Sequence, residues 1–450
     1  MPLSTFMGLE TTLRGILAQQ LAIDVTGHNI SNANTVGYSR QRATLTPTDP
    51  YTVPGTSRPP QAGQLGTGVD VSQYQRVRDA FIDIQYRAQT MIQGSADATN
   101  DGLQQVQQAF HEPGDQGLNS LLQKYWSAWS DVSNAPENMA TRQALAQAAG
   151  SLATGFNQVS TQLQTVLGQT GQNVTYTIND VNAMGTQIAQ LNDAIAKAEV
   201  TGDQPNDLLD QRDVLIDNLS SLGNVTVTPT TLGKVDISIG GASLVSGTTS
   251  ATLAETDMTS LTSGKLQGLI QLRDVTIPGY QAQLDTLAST MISATNTQHA
   301  AGFDLTGTAG GAFFTGTDAA SIAINPAIMS NPALIAASGN GQPGNSDNAL
   351  AMAALRTQSL FGSSSIDTAY SQLVTKIGSD TQQAQRAADT SSLLVGSLQD
   401  RRESVSGVSL DEEMTNLVRF QRGYQASARA LTAMDDMLDN LISRTGRVGL

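Results

Sequence analysis

Residues 409–442 read SLDEEMTNLVRFQRGYQASARALTAMDDMLDNLI, and an apolar or aromatic side chain returns at every seventh position. This heptad spacing is typical of a helix that packs in a coiled coil. Ser409 with Glu412 three residues later matches the capping box of a helix N-terminus. The predicted seam consists of Leu410, Leu417, Tyr424, Leu431 and Leu438, with Ile442 on an adjacent row. A single helix cannot bury such a stripe, so we expect a partner helix.

The N-terminal segment has the same spacing. Within residues 3–31, large apolar side chains recur every seven residues, at Leu9, Ile16, Ile23 and Ile30. Both ends are nearly neutral, because residues 1–46 hold three Arg against two acidic residues and residues 401–450 hold seven of each. Almost all of the net charge of −15 therefore lies in the middle of the chain, which suits a surface facing water. We predict that the two terminal helices pair with each other, and then with the same helices of neighbouring chains.

Turn-forming residues follow the first helix in the stretch SNANTVGYSRQR, residues 31–42. Asn and Gly tolerate left-handed backbone, so the helix is predicted to end near Ser31. Two interpretations stay open for Tyr38 and Arg40. They are surface residues after a turn, or they form a contact between subunits in which Arg binds a carboxylate and Tyr buries its ring. Five prolines between positions 47 and 60 then predict an extended linker over 47–76.

Helical patterns dominate the next part of the chain. Helices are predicted at 77–110 and 118–133, and the second places Trp126 and Trp129 on one face, where core packing is expected. No proline separates residues 137–204, and apolar residues recur there by sevens. This predicts either one helix of ~60 residues, roughly 90 Å long, or two helices joined near Gly168 and Gly171.

Beyond residue 205 the periodicity changes twice. A helix at 206–222 is followed by an alternation of apolar and polar residues that predicts a small β module at about 223–264. Helix returns at 280–298 and again from 347 to about 402, while 301–345 is predicted to hold short strands and loops. The fold is thus expected to be mainly α, a long-helix bundle or coiled coil formed by both termini with a small β-rich outer module.

Four parts are predicted along the chain. Residues 1–46 with 403–450 form an inner coiled-coil domain, and 47–76 form an extended linker. A helical rod domain is assembled from 77–222, 265–300 and 346–402. The remaining segments, 223–264 with 301–345, are expected to form the β-rich outer module together.

The sequence contains no pattern typical of a catalytic, metal-binding or cofactor-binding site. Cys is absent, and the three His lie far apart in the chain, so the spacing of a metal site is lacking. The Gly-rich run 307–316 does not end as a phosphate loop does. No basic patch predicts nucleic-acid binding, no run of 18 apolar residues predicts a membrane span, and the N-terminus does not read as a cleavable signal. We therefore predict a protein that is not an enzyme and has no catalytic, cofactor-binding or metal site.

Four segments resemble one known family. The stretch 31–42 resembles the N-terminal signature of the flagellar axial proteins, which comprise rod, hook and hook-associated proteins. Residues 406–442 are similar to the closing helix of the same family. Within it, YSRQ after the Gly, LLDQRDVLIDNLSSL at 208–222 and NTQHAAGFDLTGTAGGAFF at 296–314 resemble the hook-associated proteins of the hook–filament junction. The chain is short for this family, which implies a reduced outer module.

The resemblance implies a structural role in the bacterial flagellum. Members form a junction layer between hook and filament, allow flagellin to assemble, and are extracellular after export by the flagellar type III apparatus without a cleaved signal peptide. The implied partners are further copies of the chain, hook protein below, a second junction protein (hook-associated protein 3 type) above, and an export chaperone (FlgN type) on the C-terminal helix. Neither nucleic acid nor membrane is an expected partner.

Three other functions compete with this one. A hook or distal rod protein would share the terminal motifs, but the long helices at 139–199 and 347–402 argue against it. A peptidoglycan hydrolase would need two opposed carboxylates in a cleft, and the sequence indicates no such pair. An adhesive role of the β module stays open as a secondary function.

Overall fold

The computed structural model describes residues 5–51, 65–110, 112, 114 and 117–444. Long helices make up most of it, as predicted. The helices of the two ends and of the first half are α1 Thr5–Ser31, α2 Ala80–Ala109, α3 Leu118–Asn134, α4 Met139–Val200, α5 Asn206–Leu222 and α11 Leu410–Arg444. Those between are α6 Lys265–Gln271, α7 Ile277–Ala300, α8 Pro326–Ser330, α9 Asp347–Ala354 and α10 Ile366–Ser406.

In the described part of the chain, the strands form three small antiparallel sheets. Their bounds are β1 Gln41–Pro47, β2 Val69–Arg76, β3 Val225–Pro229, β4 Val235–Ile239, β5 Ala242–Ser246, β6 Thr249–Ser250, β7 Phe314–Thr315 and β8 Ala323–Ile324. The strands pair as β1–β2, as β3–β4–β5–β6 and as β7–β8. Among the residues described, no helix combines the length and the apolar character that crossing a bilayer demands.

The terminal helices α1 and α11 pack antiparallel along their length. A Cβ added at Gly15 would lie 3.2 Å from Oγ of Ser427, and one added at Gly423 would lie 2.9 Å from the side chain of Gln19. Glycines at these crossings let the two backbones approach closely. The prediction that both ends form one helical unit is confirmed.

A β-hairpin, not a linker, follows the first helix. Strand β1 pairs with β2 from Gln41 opposite Arg76 to Pro47 opposite Val69. The hairpin lies along α1, where a Cβ at Gly68 would sit 3.4 Å from the Thr11 carbonyl. The prediction of an extended linker over 47–76 is therefore wrong at residues 69–76. The alternating polar residues there form strand β2, which the prolines of residues 47–60 do not indicate. Pro54, Pro59 and Pro60 lie outside the described residues.

Helix α4 settles the alternative that the sequence left open. It runs unbroken through 62 residues, about 93 Å at 1.5 Å per residue. Asn138 caps its start, since the Asn side chain accepts a hydrogen bond from the Ala140 N–H at 2.9 Å. The prediction of one very long helix is confirmed, and Gly168 and Gly171 lie within it.

Among the residues that the structure describes, two separate hydrophobic cores line this long helix. The tryptophan core gathers α3, the first half of α4, α7, α9 and residues 313–337 around Trp126 and Trp129, which are 2% and 0% exposed. The sheet core lies between the second half of α4, α5, α6 and the sheet β3–β6, around Val181, Ile188 and Ile237. Core packing of both tryptophans was predicted and is confirmed.

Three details of the predicted body are wrong. Segments 223–264 and 301–345 do not form one module, because the first packs in the sheet core and Phe313 with Phe314 packs in the tryptophan core. The helix predicted at 347–402 is interrupted between α9 and α10, and it continues to Ser406. The helix predicted at 280–298 begins earlier, since α6 and α7 are joined by a π-helical turn at Leu272–Thr276.

A buried histidine ties the 301–345 segment to α7. His299 is fully buried; its Nδ1 lies 2.7 Å from the Gly311 carbonyl, and its Nε2 accepts the Ala336 N–H at 2.8 Å. Nδ1 therefore carries the proton, and the ring is neutral. Burial lowers the pKa of His299 below 6.5; Arg142 lowers it further, and the Gly311 carbonyl and Asp304 oppose the shift.

Acidification below the ordinary pKa of histidine is expected to destabilise the fold through His299. The unfolded chain takes up a proton near pH ~6.5 while the folded chain does not, so stability is complete above that pH and falls below it. The loss is at most about 1.4 kcal/mol per pH unit. Urea unfolding at about pH 7.5 and about pH 5.5 measures it, with His299→Gln as a variant that cannot titrate. Equal losses in both proteins would contradict this role of the ring.

Candidate functional site: the terminal helix pair and its joint

The predicted seam residues lie at different depths in the helix pair. Leu438 is buried, whereas Leu417 and Leu431 are half-buried and Leu410, Tyr424 and Ile442 are exposed. On α1, the four predicted residues Leu9, Ile16, Ile23 and Ile30 are all half-buried. The contact line runs instead through small residues, since a Cβ added at Gly8 or Gly15 would meet the side chain of Met434 or of Ser427 on α11. The structure thus brings only part of the predicted seam into the intramolecular contact.

Apolar side chains on α1 face away from α11. At 100° per residue, Phe6, Leu13, Leu17 and Leu21 lie within about 80° of one another on α1, and their face is opposite Gly8, Gly15 and Gln19, which meet α11. All four are substantially exposed, Phe6 to 66%. The first three turns of α11 add Leu410, Met414 and Val418 at intervals of four residues, with Met414 52% and Val418 44% exposed. We call these two sets the outer stripes. Only Leu410 of them belonged to the predicted seam, although the others follow the same period one row away.

Three parts of the chain meet at Asn29: helix α1, helix α11 and the segment 32–40 between α1 and β1, which we call the elbow. This side chain is buried; it accepts hydrogen bonds from the Tyr38 hydroxyl at 2.8 Å and from the Gln41 N–H at 2.9 Å. Its amide donates to the Gln41 carbonyl at 2.8 Å and to Glu413 at 3.1 Å. Burial, with Asp207, Asp210 and Glu413 nearby, raises the pKa of Tyr38. One amide therefore fixes the path of the chain where it leaves α1.

Arg40 joins the elbow to the start of α11. Its guanidinium binds Glu412 at 2.7 Å and the buried Glu413 at 2.8 Å. The predicted capping box is therefore formed by one arm only. Ser409 Oγ accepts the Glu412 N–H at 3.5 Å, while the Glu412 carboxylate turns to Arg40. Tyr38 and Arg40 thus find their partners within the chain, and their role between subunits stays a prediction.

A cluster of ion pairs connects the terminal pair to the body. Helix α5 carries Asp210, Asp213 and Asp217 at intervals of three and four, hence on one face. Asp213 contacts Arg76 at 2.8 Å, Arg87 at 3.3 Å and also Arg78. We call the whole set the ionic joint: Arg76, Arg78, Arg87 and Arg402 with Asp83, Asp210, Asp213 and Asp217.

Besides α5, the ionic joint contacts α2, α10 and the elbow. Arg402, near the end of α10, binds Asp217 at 2.7 Å and Asp83 of α2 at 3.1 Å. Ser39 in the elbow donates to Asp210 through both its N–H and its hydroxyl, each at 2.8 Å. Burial would raise the pKa of the Asp213 carboxyl, but Arg78, Arg76 and Arg87 together hold it below its usual value. The Asp213 carboxylate therefore stays charged, and the arrangement holds elements together.

Sequence reasoning did not find the ionic joint. The sequence predicts a helix at 206–222, but it does not indicate that the acidic residues of this helix bind arginines far along the chain. A signal exists in the three-and-four spacing of the Asp residues on an amphipathic helix. Within the described part of the chain, no cluster of three or more His, Asp or Glu residues is arranged to hold a metal ion.

Three family models match separate parts of the chain. The model described as the flagellar hook-associated protein FlgK helical domain matches residues 103–314. The C-terminal model of the flagellar basal body rod FlgEFG proteins matches 401–444, and the model of flagella basal body rod proteins matches 9–38. The last two matches coincide with α11 and α1, the two helices of the terminal pair.

Whole-chain relatives agree with these matches. Flagellar hook-associated protein 1 of Bacillus subtilis is 33% identical over 501 positions, which cover 98% of this chain and 99% of the relative. The Escherichia coli protein of that name is 27% identical over 549 positions, covering 97% and 99%. Both alignments are longer than the 450 residues of this chain, so the relatives hold internal segments that it lacks.

A solved structure shares the fold. The flagellar hook junction protein FlgK from Burkholderia pseudomallei superimposes with a TM-score of 0.62 at 18% identity, covering 72% of this chain and all of the other. The fold class predicted from the sequence is confirmed by this likeness. With its terminal helix pair, its helical body and a relative one-third identical along almost its whole length, the chain belongs to the flagellar hook-associated protein 1 family of structural components of the bacterial flagellum.

Proposed function

We propose that copies of this chain form the layer between hook and filament and allow flagellin to assemble above it. The observation that carries the proposal is the pair of outer stripes on the terminal helices. An exposed row of large apolar side chains on a stable helix pair indicates a protein interface. The near-neutral charge of both ends suits such an interface, since its buried centre is depleted in charged residues.

The stripes fit neighbouring copies of the same helix pair. The α1 stripe and the α11 stripe lie on different faces, so one subunit can contact two neighbours at once. Contacts between unlike faces are heterologous and generate rings or helical layers, which is the geometry that an axial layer requires. The predicted seam residues that stay exposed, Leu410, Tyr424 and Ile442, would be covered in the same assembly.

The remaining partners follow from the proposed position. Hook protein lies below the layer and a second junction protein (hook-associated protein 3 type) lies above it. Before assembly, an export chaperone (FlgN type) covers the apolar turns of α11 around Met414 and Val418. The chain leaves the cell through the flagellar type III apparatus without cleavage of a signal peptide, and its place is extracellular.

Electron microscopy of cells that lack the chain tests this function. We expect bare hooks, together with monomeric flagellin in a blot of the culture medium, and filaments restored by the wild-type gene. Absent hooks would instead assign the chain to the rod or the hook. Intact filaments would overturn the proposal altogether.

A further inference from the structure

The two hydrophobic cores of the body are separated by a level at which the packing is poor in apolar side chains. On α4 the tryptophan core ends at Val166 and the sheet core begins at Val174. The buried residue between them is Thr170, which is polar and donates to the Val166 carbonyl at 2.8 Å. Back-bonding of this kind weakens and bends helices. We call this level the waist.

Three of the long helices that cross the waist are irregular or weakly packed there, while α10 passes it beside α2 as a regular helix, from the tryptophan core to Arg402. Helix α4 carries Gly168 and Gly171, and glycine in a helix interior lowers helix stability. The helix formed by α6 and α7 has its π-helical turn at Leu272–Thr276, and such turns are common at points where helices bend. Helix α2 places the polar Asn100 and Gly102 at this level, with Gly102 against Leu272. The glycines of α4, the π-helical turn before α7 and the polar stretch of α2 therefore lie at the same level of the body.

The geometry points to a hinge: we propose that the body bends at the waist, with the tryptophan core and the sheet core moving as two rigid blocks. Each block keeps its own apolar packing when the angle changes. The bent form opens one turn of α4 between Gly168 and Gly171. Since a Cβ at Gly168 would meet no atom within 4 Å, the glycine there is not required by close packing.

Each block has a loop on the same side of α4, around Ala319 in the tryptophan core and around Leu253 in the sheet core. Asn157 binds the Ala319 carbonyl at 2.9 Å, and Asn182 binds the Leu253 carbonyl at 2.9 Å. These asparagines are 25 residues apart, which places them about 37 Å apart along α4 and within about 20° of the same face. Bending toward that face brings the loops together, and bending away separates them.

Distance measurements on the whole chain test the hinge. The chain has no Cys, so cysteines at the exposed positions Ala320 and Thr252 can carry two spin labels without background. For the wild type we expect a broad or two-peaked distance distribution. Gly168→Ala with Gly171→Ala should narrow it to one peak, because alanine favours the helical backbone by about fivefold per position and so reduces the bent population by about 25-fold.

A matched control separates bending from general stabilisation. Gly396 lies inside α10, away from the waist, and a Cβ there also meets nothing within 4 Å. Gly396→Ala should leave the distance distribution unchanged. The hinge is overturned by a single narrow peak in the wild type, by a width that the double variant does not change, or by equal narrowing with Gly396→Ala.

Hydrogen exchange gives a second test. Opening the turn frees the amides of residues 171–175. We expect these amides to exchange faster than those of residues 159–163 and 181–185 on the same helix, and to slow in the double variant. Uniform protection along α4 would overturn the proposal.

Discussion

Cells in which Met414 and Val418 are both replaced by aspartate are expected to make hooks but almost no filaments. Both side chains belong to the outer stripe of α11 and are about half exposed in the single chain. A carboxylate buried in an apolar contact without a partner costs several kcal/mol, and each lost apolar side chain removes up to about 2 kcal/mol. Electron microscopy and counts of filaments per cell measure the effect.

The folding of the single chain should survive this double substitution. The stripe lies outside the contact line with α1, so circular dichroism and urea unfolding are expected to match the wild type. Ala426→Asp with Ala433→Asp is the matched control, because these exposed positions lie on the face of α11 away from both α1 and the stripe. Equal loss of filaments with the control would show that negative charge on α11, and not the stripe, blocks assembly.

Replacing Asp213 by asparagine is expected to lower the free energy of unfolding by about 3–5 kcal/mol. Asp213 is the carboxylate that Arg76, Arg78 and Arg87 share, and its removal leaves buried positive charge without its partner. Urea unfolding followed by circular dichroism measures the loss.

Asp193→Asn supplies the comparison. Asp193 pairs with Lys197 on the surface, where side-chain exposures of 47% and 75% limit the pair to about 1 kcal/mol or less. A loss in Asp213→Asn no larger than that in Asp193→Asn would contradict the stabilising role of the ionic joint.

The stabilisation by Asp213 also depends on pH. Because the folded pKa of Asp213 is lowered, its contribution is present above the unfolded pKa near 4 and is lost as the pH falls through the folded value.

Features with a long regular period could be predicted from the sequence. Helix α4, the pairing of the two ends and the burial of Trp126 and Trp129 all follow from apolar residues that recur at helical spacing. The contact between α1 and α11 was placed one row away from its true position. The heptad rule selects the largest apolar residues, such as Ile16 and Ile23, whereas close approach of the two helices occurs at Gly15 and Gly423.

Features that depend on distant partners could not be predicted. Arg76 and Asp210 are separated by 134 residues, and no local spacing indicates that they form an ion pair. The same holds for residues 301–345, whose short apolar runs have no period and whose position is decided by the packing of Phe313 and Phe314 against Tyr125 and Trp129.

The contact between Asn29 and Glu413 joins residues 384 positions apart. Since α1 has its partner in α11, its pairing must wait until nearly the whole chain is available, whereas the body between them can fold from nearer contacts. Closing so long a loop is slow, and it becomes favourable only when α11 is present at full length. The helix pair therefore forms only in the full-length chain, because a chain cut between α10 and α11 keeps every element of the body but lacks the paired surface for joining its neighbours.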